Sequence, residues 1–414
     1  MKSFIFTVTG LFVAANFLQA QATQLVDQTF LAALRTEAAR KHPATRAASL
    51  RVSAAASDIY SLRLWDDPLV GLSLMAAETE KRRADGDIRL GFEQALPKPG
   101  LFAANRSKAE ALHRAQFENA RSTTQEIGTA AARDAIELAL ADESLVLQAG
   151  QIEWLSTMVE NARQLAINPD ATGLDALRLE SELAKQNQIL AAAQRSRQRL
   201  AQSLNSRLGR PLESPWPRLQ LSNNPSPIPI ASAEIARISR VNPKLRALQQ
   251  MASAAKAETQ IASHDRQPQL SLAVETDLYS GGDFRSATVG LKMSLPIFNR
   301  NSYQAKIEAS QLRQQAAVKD LETTRLELAA ALLNAVTEAT NAEAQARAYS
   351  GEIYQRAQQA SEAVESSWLS SKSSLTDLLE SKRQLFAIRL EQRRFVAIQQ
   401  IALEEIKLLV PQHP

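Results

Sequence analysis

Residues 287–301 read ATVGLKMSLPIFNRN. Val289, Leu291 and Met293 alternate with Thr288, Gly290, Lys292 and Ser294. A period of two puts the apolar side chains on one face of a β-strand and the polar ones on the other. The alternation stops at Leu295-Pro296, where a helical pattern takes over. A related stretch stands earlier: residues 88–100 read IRLGFEQALPKPG, with Ile88, Leu90 and Phe92 alternating with Arg89, Gly91 and Glu93. Each stretch has a companion before it. Val70, Leu72 and Leu74 alternate with Gly71 and Ser73, and Leu270, Leu272 and Val274 alternate with Ser271, Ala273 and Glu275. Four such strands suit a membrane barrel with lipid on one face and water on the other. They suit equally a soluble sheet with one face on a core, because both produce the same alternation.

The match between the two stretches extends in both directions. His42-Pro43 matches Asn242-Pro243 at an offset of 200, followed by Arg46 and Arg246, Ala54-Ala55 and Ala254-Ala255, and Pro68 and Pro268. Gly91 matches Gly290, Leu96-Pro97 matches Leu295-Pro296, and Lys108-x-Glu110 matches Lys306-x-Glu308. A collinear series with a drift of two residues indicates two tandem copies of one unit. The expected division is a signal peptide over 1–22, a first repeat over 23–210, a linker over 211–229 and a second repeat over 230–414. Six prolines (Pro211, Pro215, Pro217, Pro225, Pro227 and Pro229) mark the linker as an extended connector, since proline blocks helix and removes a backbone donor.

Each unit reads helix, strand, strand, long helix, turn, helix. The first predicts helices near 28–41 and 43–64, strands near 67–79 and 86–97, a helix over 102–166, a turn at Asn168-Pro169-Asp170 and a helix over 172–209. The second predicts helices near 231–264, strands near 267–279 and 285–296, and helices near 302–370 and 374–409. Asp85-Gly86 and Gly281-Gly282-Asp283 are hairpin turns between the strand pairs. Down the first long helix one heptad column reads Phe117, Thr124, Ala131, Leu138, Leu145, Ile152 and Val159, the pattern of coiled-coil packing. A helix of about 65 residues is roughly 97 Å long at 1.5 Å per residue. The short helix near 43–64 is expected to stack end to end with its half-length partner near 172–209. Four strands cannot close a transmembrane barrel, and open edges are not tolerated in lipid. Two chains would supply eight strands and three would supply twelve.

The composition agrees with long helices: 45% hydrophobic, only 5% aromatic and 13 glycines. The net charge is +4, but the charges are interspersed, which argues against a nucleic-acid partner. There is no cysteine, so disulfides, thiolate metal sites and a cysteine nucleophile are excluded. His42, His113, His264 and His413 are scattered, with no ligand spacing. No catalytic motif is present, and neither an enzyme activity, a cofactor nor a metal site is expected. Met1-Lys2, the apolar run Phe4 to Phe17 and the small-residue sites Leu18-Gln19-Ala20 and Ala20-Gln21-Ala22 read as a secretory signal. Tyr60, Trp65, Tyr279 and Phe298 lie near strand ends, as an interfacial girdle or as packing where strand meets helix.

The tandem repeat, the junctions Leu96-Pro97-Lys98-Pro99-Gly100 and Leu295-Pro296-Ile297-Phe298-Asn299-Arg300-Asn301, and the turn segments Thr172 to Leu177 and Ser374 to Glu380 together resemble the TolC family of outer-membrane channels. The junctions and the chain length are most similar to the branch serving heavy-metal cation efflux. The resemblance implies a mainly α fold: a coiled-coil α-barrel with four strands per chain completing a 12-stranded trimeric β-barrel. It implies a homotrimer in outer-membrane lipid with a long periplasmic extension, docking onto a periplasmic adaptor and an inner-membrane RND-type pump, and acting as a passive duct for cations or small toxic compounds. By matching to the family's gate, Asp175, Asp377 and Glu380 are pore-gate candidates, although Ser373 and Lys372 stand where the family's gate arginine is expected. Arg89, Glu93, Glu275 and Lys292, on the polar strand faces, are barrel-lumen candidates. The competing assignment is a periplasmic coiled-coil adaptor or structural protein.

Overall fold

A computed structural model of the chain describes residues 23–75, 87–166, 173–223, 226–279, 281–370 and 372–411. The signal segment 1–22, Asp85-Gly86 and Asn168-Pro169-Asp170 lie outside the described residues. The elements run β1 (Gln24–Val26), α1 (Gln28–Lys41), α2 (Pro43–Tyr60), β2 (Leu69–Met75), β3 (Asp87–Ala95), α3 (Leu101–Leu165), α4 (Leu174–Arg207) and β4 (Leu219–Leu221). They continue with α5 (Ala231–Val241), α6 (Pro243–Asp265), β5 (Gln269–Leu278), β6 (Phe284–Ser294), α7 (Arg300–Ser350), α8 (Glu352–Leu369) and α9 (Leu375–Leu409).

The 65 residues of α3 form the spine. Nearer the sheet it packs on α2 and α6, and further along on α4 and α9. The heptad column follows this change of neighbours: Phe117 is half exposed, Ala131 and Leu138 are fully buried, and Val159 is buried again at the far end. Just beyond α4, Gly209 adopts φ 64°, and a Cβ there would meet the Lys41 carbonyl oxygen at 2.9 Å, so the end of α4 meets the chain where α1 ends and α2 is about to begin. Only glycine satisfies both the left-handed backbone and the close approach. The second repeat makes the corresponding joint with a side chain. Asn242 Nδ2 donates to the Leu409 carbonyl (3.0 Å) at the end of α9, while its Oδ1 accepts from the Lys244 and Leu245 N–H groups and caps α6.

The structure departs from the sequence expectation in three places. The helix expected over 302–370 is divided into α7 and α8 at Gly351, whose backbone (φ −97°, ψ −121°) leaves the helical region. The helix expected to reach 64 ends at Tyr60. The proline-rich linker is not only a connector: its residues Leu219–Leu221 form β4, which pairs in parallel with β1. A three-residue strand whose partner lies almost 200 positions away carries no periodic signal.

That small sheet is held by charge. Buried Asp142 on α3 accepts from the Leu219 N–H (2.9 Å) and from Arg197 Nε (2.7 Å), and its neighbour Glu143 accepts from the Leu221 N–H (2.8 Å). Arg393 of α9 donates in turn to Glu143. The outer edge of β4 therefore finds its acceptors on the helix beneath it, as buried backbone donors must. Fully buried Asn205 donates to the Leu212 and Ser214 carbonyls and accepts from Trp216 Nε1 (2.8 Å), tying the linker to α4. Beneath these contacts Leu138, Leu204, Leu208, Leu219 and Leu221 close one core where α1, α3 and α4 meet.

Removing the Asp142 carboxylate strands a half-buried guanidinium and a buried N–H together. Asp142→Ala is expected to cost ~3–5 kcal/mol, the range for breaking a buried pair, whereas Lys319→Ala, which breaks an exposed pair with Glu322, is expected to cost under ~1 kcal/mol. Thermal unfolding followed by circular dichroism at 222 nm compares the two.

Candidate functional site

The larger sheet has the strand order β2-β3-β5-β6, antiparallel throughout. Its register keeps like with like. Leu72 faces Leu90, Phe92 faces Val274, Leu272 faces Leu291, and Leu270 faces Met293. One face of all four strands is consequently mainly apolar, interrupted by Gln94 and Thr276. None of the described residues covers it: Val70 is 78% exposed, Leu74 75% and Val289 71%. A patch of this size is not left to water in a soluble monomer. β3, β5 and β6, at 9, 10 and 11 residues, have the length of tilted barrel strands, and β2 is described over 7.

The opposite face carries a chain of ion pairs. Arg89 Nε donates to Asp277 Oδ1 at 2.7 Å and its guanidinium stands 3.9 Å from Glu275. Lys292 Nζ reaches Glu93 at 2.8 Å and Glu275 at 3.7 Å. The four residues singled out on the strands thus belong to one network crossing β3, β5 and β6. Asp277 completes it and is absent from the sequence reading. The signal was available, because Asp277 lies two positions beyond Glu275 and must share its face. Three carboxylates against two cations leave this network with one net negative charge per chain. His264 is placed at the junction below the sheet: a Cβ on Gly100 (φ +80°) would meet its ring at 2.6 Å.

At the other end the tips of α3, α4, α8 and α9 close on an apolar cluster of Leu155, Val159, Leu179, Trp368, Leu375 and Leu378. Asp175 lies half exposed on the first turn of α4. Asp377 and Glu380 are exposed on one face at the start of α9. Their surroundings differ. Asp377 forms a reciprocal cap with Ser374, accepting from its Oγ at 2.7 Å while the Ser374 hydroxyl accepts the Asp377 N–H. Among the described residues Glu380 has no ion-pair partner. Ser373, at the position matched to the family's gate arginine, donates its hydroxyl to the Val364 carbonyl.

The tip also holds groups the sequence reading did not single out. Glu365 accepts from Trp154 Nε1 (2.8 Å) and from Lys382 (2.7 Å), and Lys382 lies 5.1 Å from the centre of the Trp154 ring. Arg383 of α9 pairs with Glu182 of α4 at 2.9 Å, joining the two repeats just behind the tip. The contacts of Trp154 with Glu365 and Lys382, and of Glu182 with Arg383, span more than 200 positions in sequence, and no local pattern announces them.

Residues 235–410 match the family model described as outer membrane efflux protein. The match takes in Glu275, Lys292, Asp377 and Glu380 and leaves Arg89, Glu93 and Asp175 outside it. The fold is similar to that of solved outer-membrane channels over almost the whole chain. The outer-membrane channel OprN aligns with a TM-score of 0.80 at 18% identity, covering 93% of this chain and 90% of that one. CusC aligns with a TM-score of 0.80 at 16% identity over 94% and 93% of the two chains. The outer membrane protein VceC of Vibrio cholerae aligns with a TM-score of 0.77 at 17% identity over 92% and 96%. No curated protein matches the chain by sequence.

Burial alone would raise the Glu365 carboxyl, but the hydrogen bonds from Lys382 and Trp154 and the lysine charge hold it below the ordinary value of 4.5. A carboxylate depressed in the folded state contributes stability that is complete above its ordinary value and is lost as pH falls below it. The Trp154 fluorescence, taken as the difference between the native chain and Trp154→Phe, is expected to report loosening of the tip on acidification below about pH 4.5. In Glu365→Gln the same signal should be altered already at pH 7 and change little on acidification.

Proposed function

We propose that the chain is an outer-membrane efflux protein along its whole length: one subunit of a trimeric duct with a shared 12-stranded barrel and a helical tunnel reaching into the periplasm. The observation that carries this reading is the four-stranded sheet. Among the described residues one of its faces is bare and mainly apolar, the other is ionic, and strands β2 and β6 each have one neighbour. Backbone groups at such edges must be paired if the sheet lies in lipid. Further copies of the same sheet supply the pairing, and the apolar band becomes the lipid face. Strands are also the only route into the bilayer offered by the described residues, where no helix is long and apolar enough to cross a membrane.

In this reading residues 1–22 direct export, the repeats over 23–210 and 230–414 supply equal shares of barrel and tunnel, and 211–229 joins them. Arg89, Glu93, Glu275 and Lys292 line the barrel lumen together with Asp277. Asp175, Asp377 and Glu380 form the periplasmic gate. Repeated by three-fold symmetry, Asp377 and Glu380 alone place six carboxylates at one level, a ring that favours cations and resists anions. The duct is passive. Its energy comes from an inner-membrane pump of the RND type reached through a periplasmic adaptor, and its cargo is cations, including heavy-metal ions, or small toxic compounds that the pump delivers.

The mature chain in mild detergent is expected to appear by negative-stain imaging as a cylinder over about 100 Å long, three-fold in end view and girdled by detergent at one end. In planar bilayers under a potassium chloride gradient its reversal potential should show cation preference. Glu380→Gln should reduce that preference without weakening the helix start. Asp377→Asn should reduce it while also loosening the cap. A monomeric rod without bound detergent overturns the duct and favours a periplasmic coiled-coil protein. A trimer whose selectivity ignores Glu380 and Asp377 removes the gate assignment alone.

A further inference from the structure

A cleft of about 550 Å³ opens between α6 and α7 next to the sheet. Its level follows from the chain order. Helix α6 ends at Asp265, four residues before β5 begins at Gln269, and α7 begins at Arg300, six residues after β6 ends at Ser294. The turn that leads from β6 into α7 leaves Leu295, Ile297 and Phe298 exposed, Phe298 almost completely. Apolar and aromatic side chains at the end of a membrane strand suit the level where acyl chains give way to headgroups.

Among the described residues five charged side chains line the cleft: Lys108 of α3, Glu258 and Asp265 of α6, and Lys306 and Arg313 of α7. Three of them are spent on one another. Glu258 takes Lys108 at 3.1 Å and Arg313 at 3.4 Å. The other two are not. Among the described residues neither Lys306 nor Asp265 has an ion-pair partner, and they line one cleft without pairing with each other. Lys306 is exposed and lies 5.9 Å from the centre of the Tyr303 ring, and Asp265 is half-buried at the end of its helix. A cation and a carboxylate held apart in one cleft are complementary to a ligand that carries both signs. A simple anion would meet Asp265, and a simple cation would meet Lys306 and Arg313, at a cost in each case.

We propose that the cleft binds the phosphoethanolamine headgroup of a zwitterionic phospholipid, with Lys306 on the phosphate and Asp265 on the ammonium. The guanidinium of Arg313 has donors beyond those turned to Glu258 and stands on the phosphate side. The acyl chains run over Leu295, Ile297 and Phe298 onto the apolar face of the sheet. The inference rests on the outer-membrane duct proposed above, which puts that face in lipid. The site occurs once per chain. At the offset of 200 that relates Pro68 to Pro268, Trp65 stands in the place of Asp265, so the first repeat keeps the equivalent lysine, Lys108, without the carboxylate.

Native mass spectrometry of the mature chain in a mild non-ionic detergent tests this, with phosphatidylethanolamine or phosphatidylglycerol of the same acyl chains added. The oligomer is expected to retain one phosphatidylethanolamine per chain, about five-fold more strongly than phosphatidylglycerol, the factor an ion pair at a partly exposed site supplies. Asp265→Asn should bring the two lipids level. Lys306→Gln should weaken both by about five-fold. The oligomer mass in the same spectra reports that each variant has folded. Free phosphoethanolamine or inorganic phosphate should leave the bound lipid in place; displacement by either makes this a site for a soluble ligand and overturns the lipid assignment. A trimer that retains both lipids equally, or whose preference is unchanged in Asp265→Asn, overturns the headgroup site and leaves the duct standing. A chain that is monomeric in detergent and retains no lipid overturns both.

Discussion

The pairing of β3 with β5 is the contact on which the arrangement depends. It is the only place where the strand pair of one repeat becomes continuous with the strand pair of the other among the described residues. Because each strand runs directly into or out of a long helix, the register of that pairing also sets which helices lie side by side. Shifting it by one residue would turn every side chain of one hairpin to the opposite face, mixing the apolar band with the ionic one. The match of Phe92 to Val274 on one face and the Arg89–Asp277 pair on the other specify the same register from both sides.

The second requirement is to keep very long helices in line where their partners change. The solution is to break the partner helices, not the spine. The end of α4 meets the end of α1 at Gly209, and α6 and α9 meet at Asn242, whose side chain satisfies the Leu409 carbonyl and the first N–H groups of α6 that helix ends would leave unpaired. The linker crosses this level as β4, with its edge donors met by Asp142 and Glu143. Buried carboxylates are costly unless every lone pair is used; here they accept backbone and guanidinium donors from three different elements.

At the tips the charges serve two purposes. Glu365, Lys382, Glu182 and Arg383 are paired across the helices and hold the hairpins together. Among the described residues Glu380 and Asp175 form no such pair, and Asp377 caps the start of its own helix.

The tandem repeat, the four alternating strands and the long heptad helices were determined by the amino-acid sequence alone, because each is a periodic pattern set by local backbone geometry. So was the shared face of Arg89 and Glu93, and of Glu275 and Lys292 with their strand neighbours. Only the tertiary structure decided which charges meet. Asp277 completes the strand network with Arg89, Glu365 anchors Trp154, and Asp142 receives the linker, all through partners far away in sequence that no period connects. The break at Gly351 and the β1–β4 pair belong with them. A single glycine inside a helical pattern does not reveal whether packing will bend the backbone there. A three-residue strand acquires its identity only from the partner that the rest of the fold brings beside it.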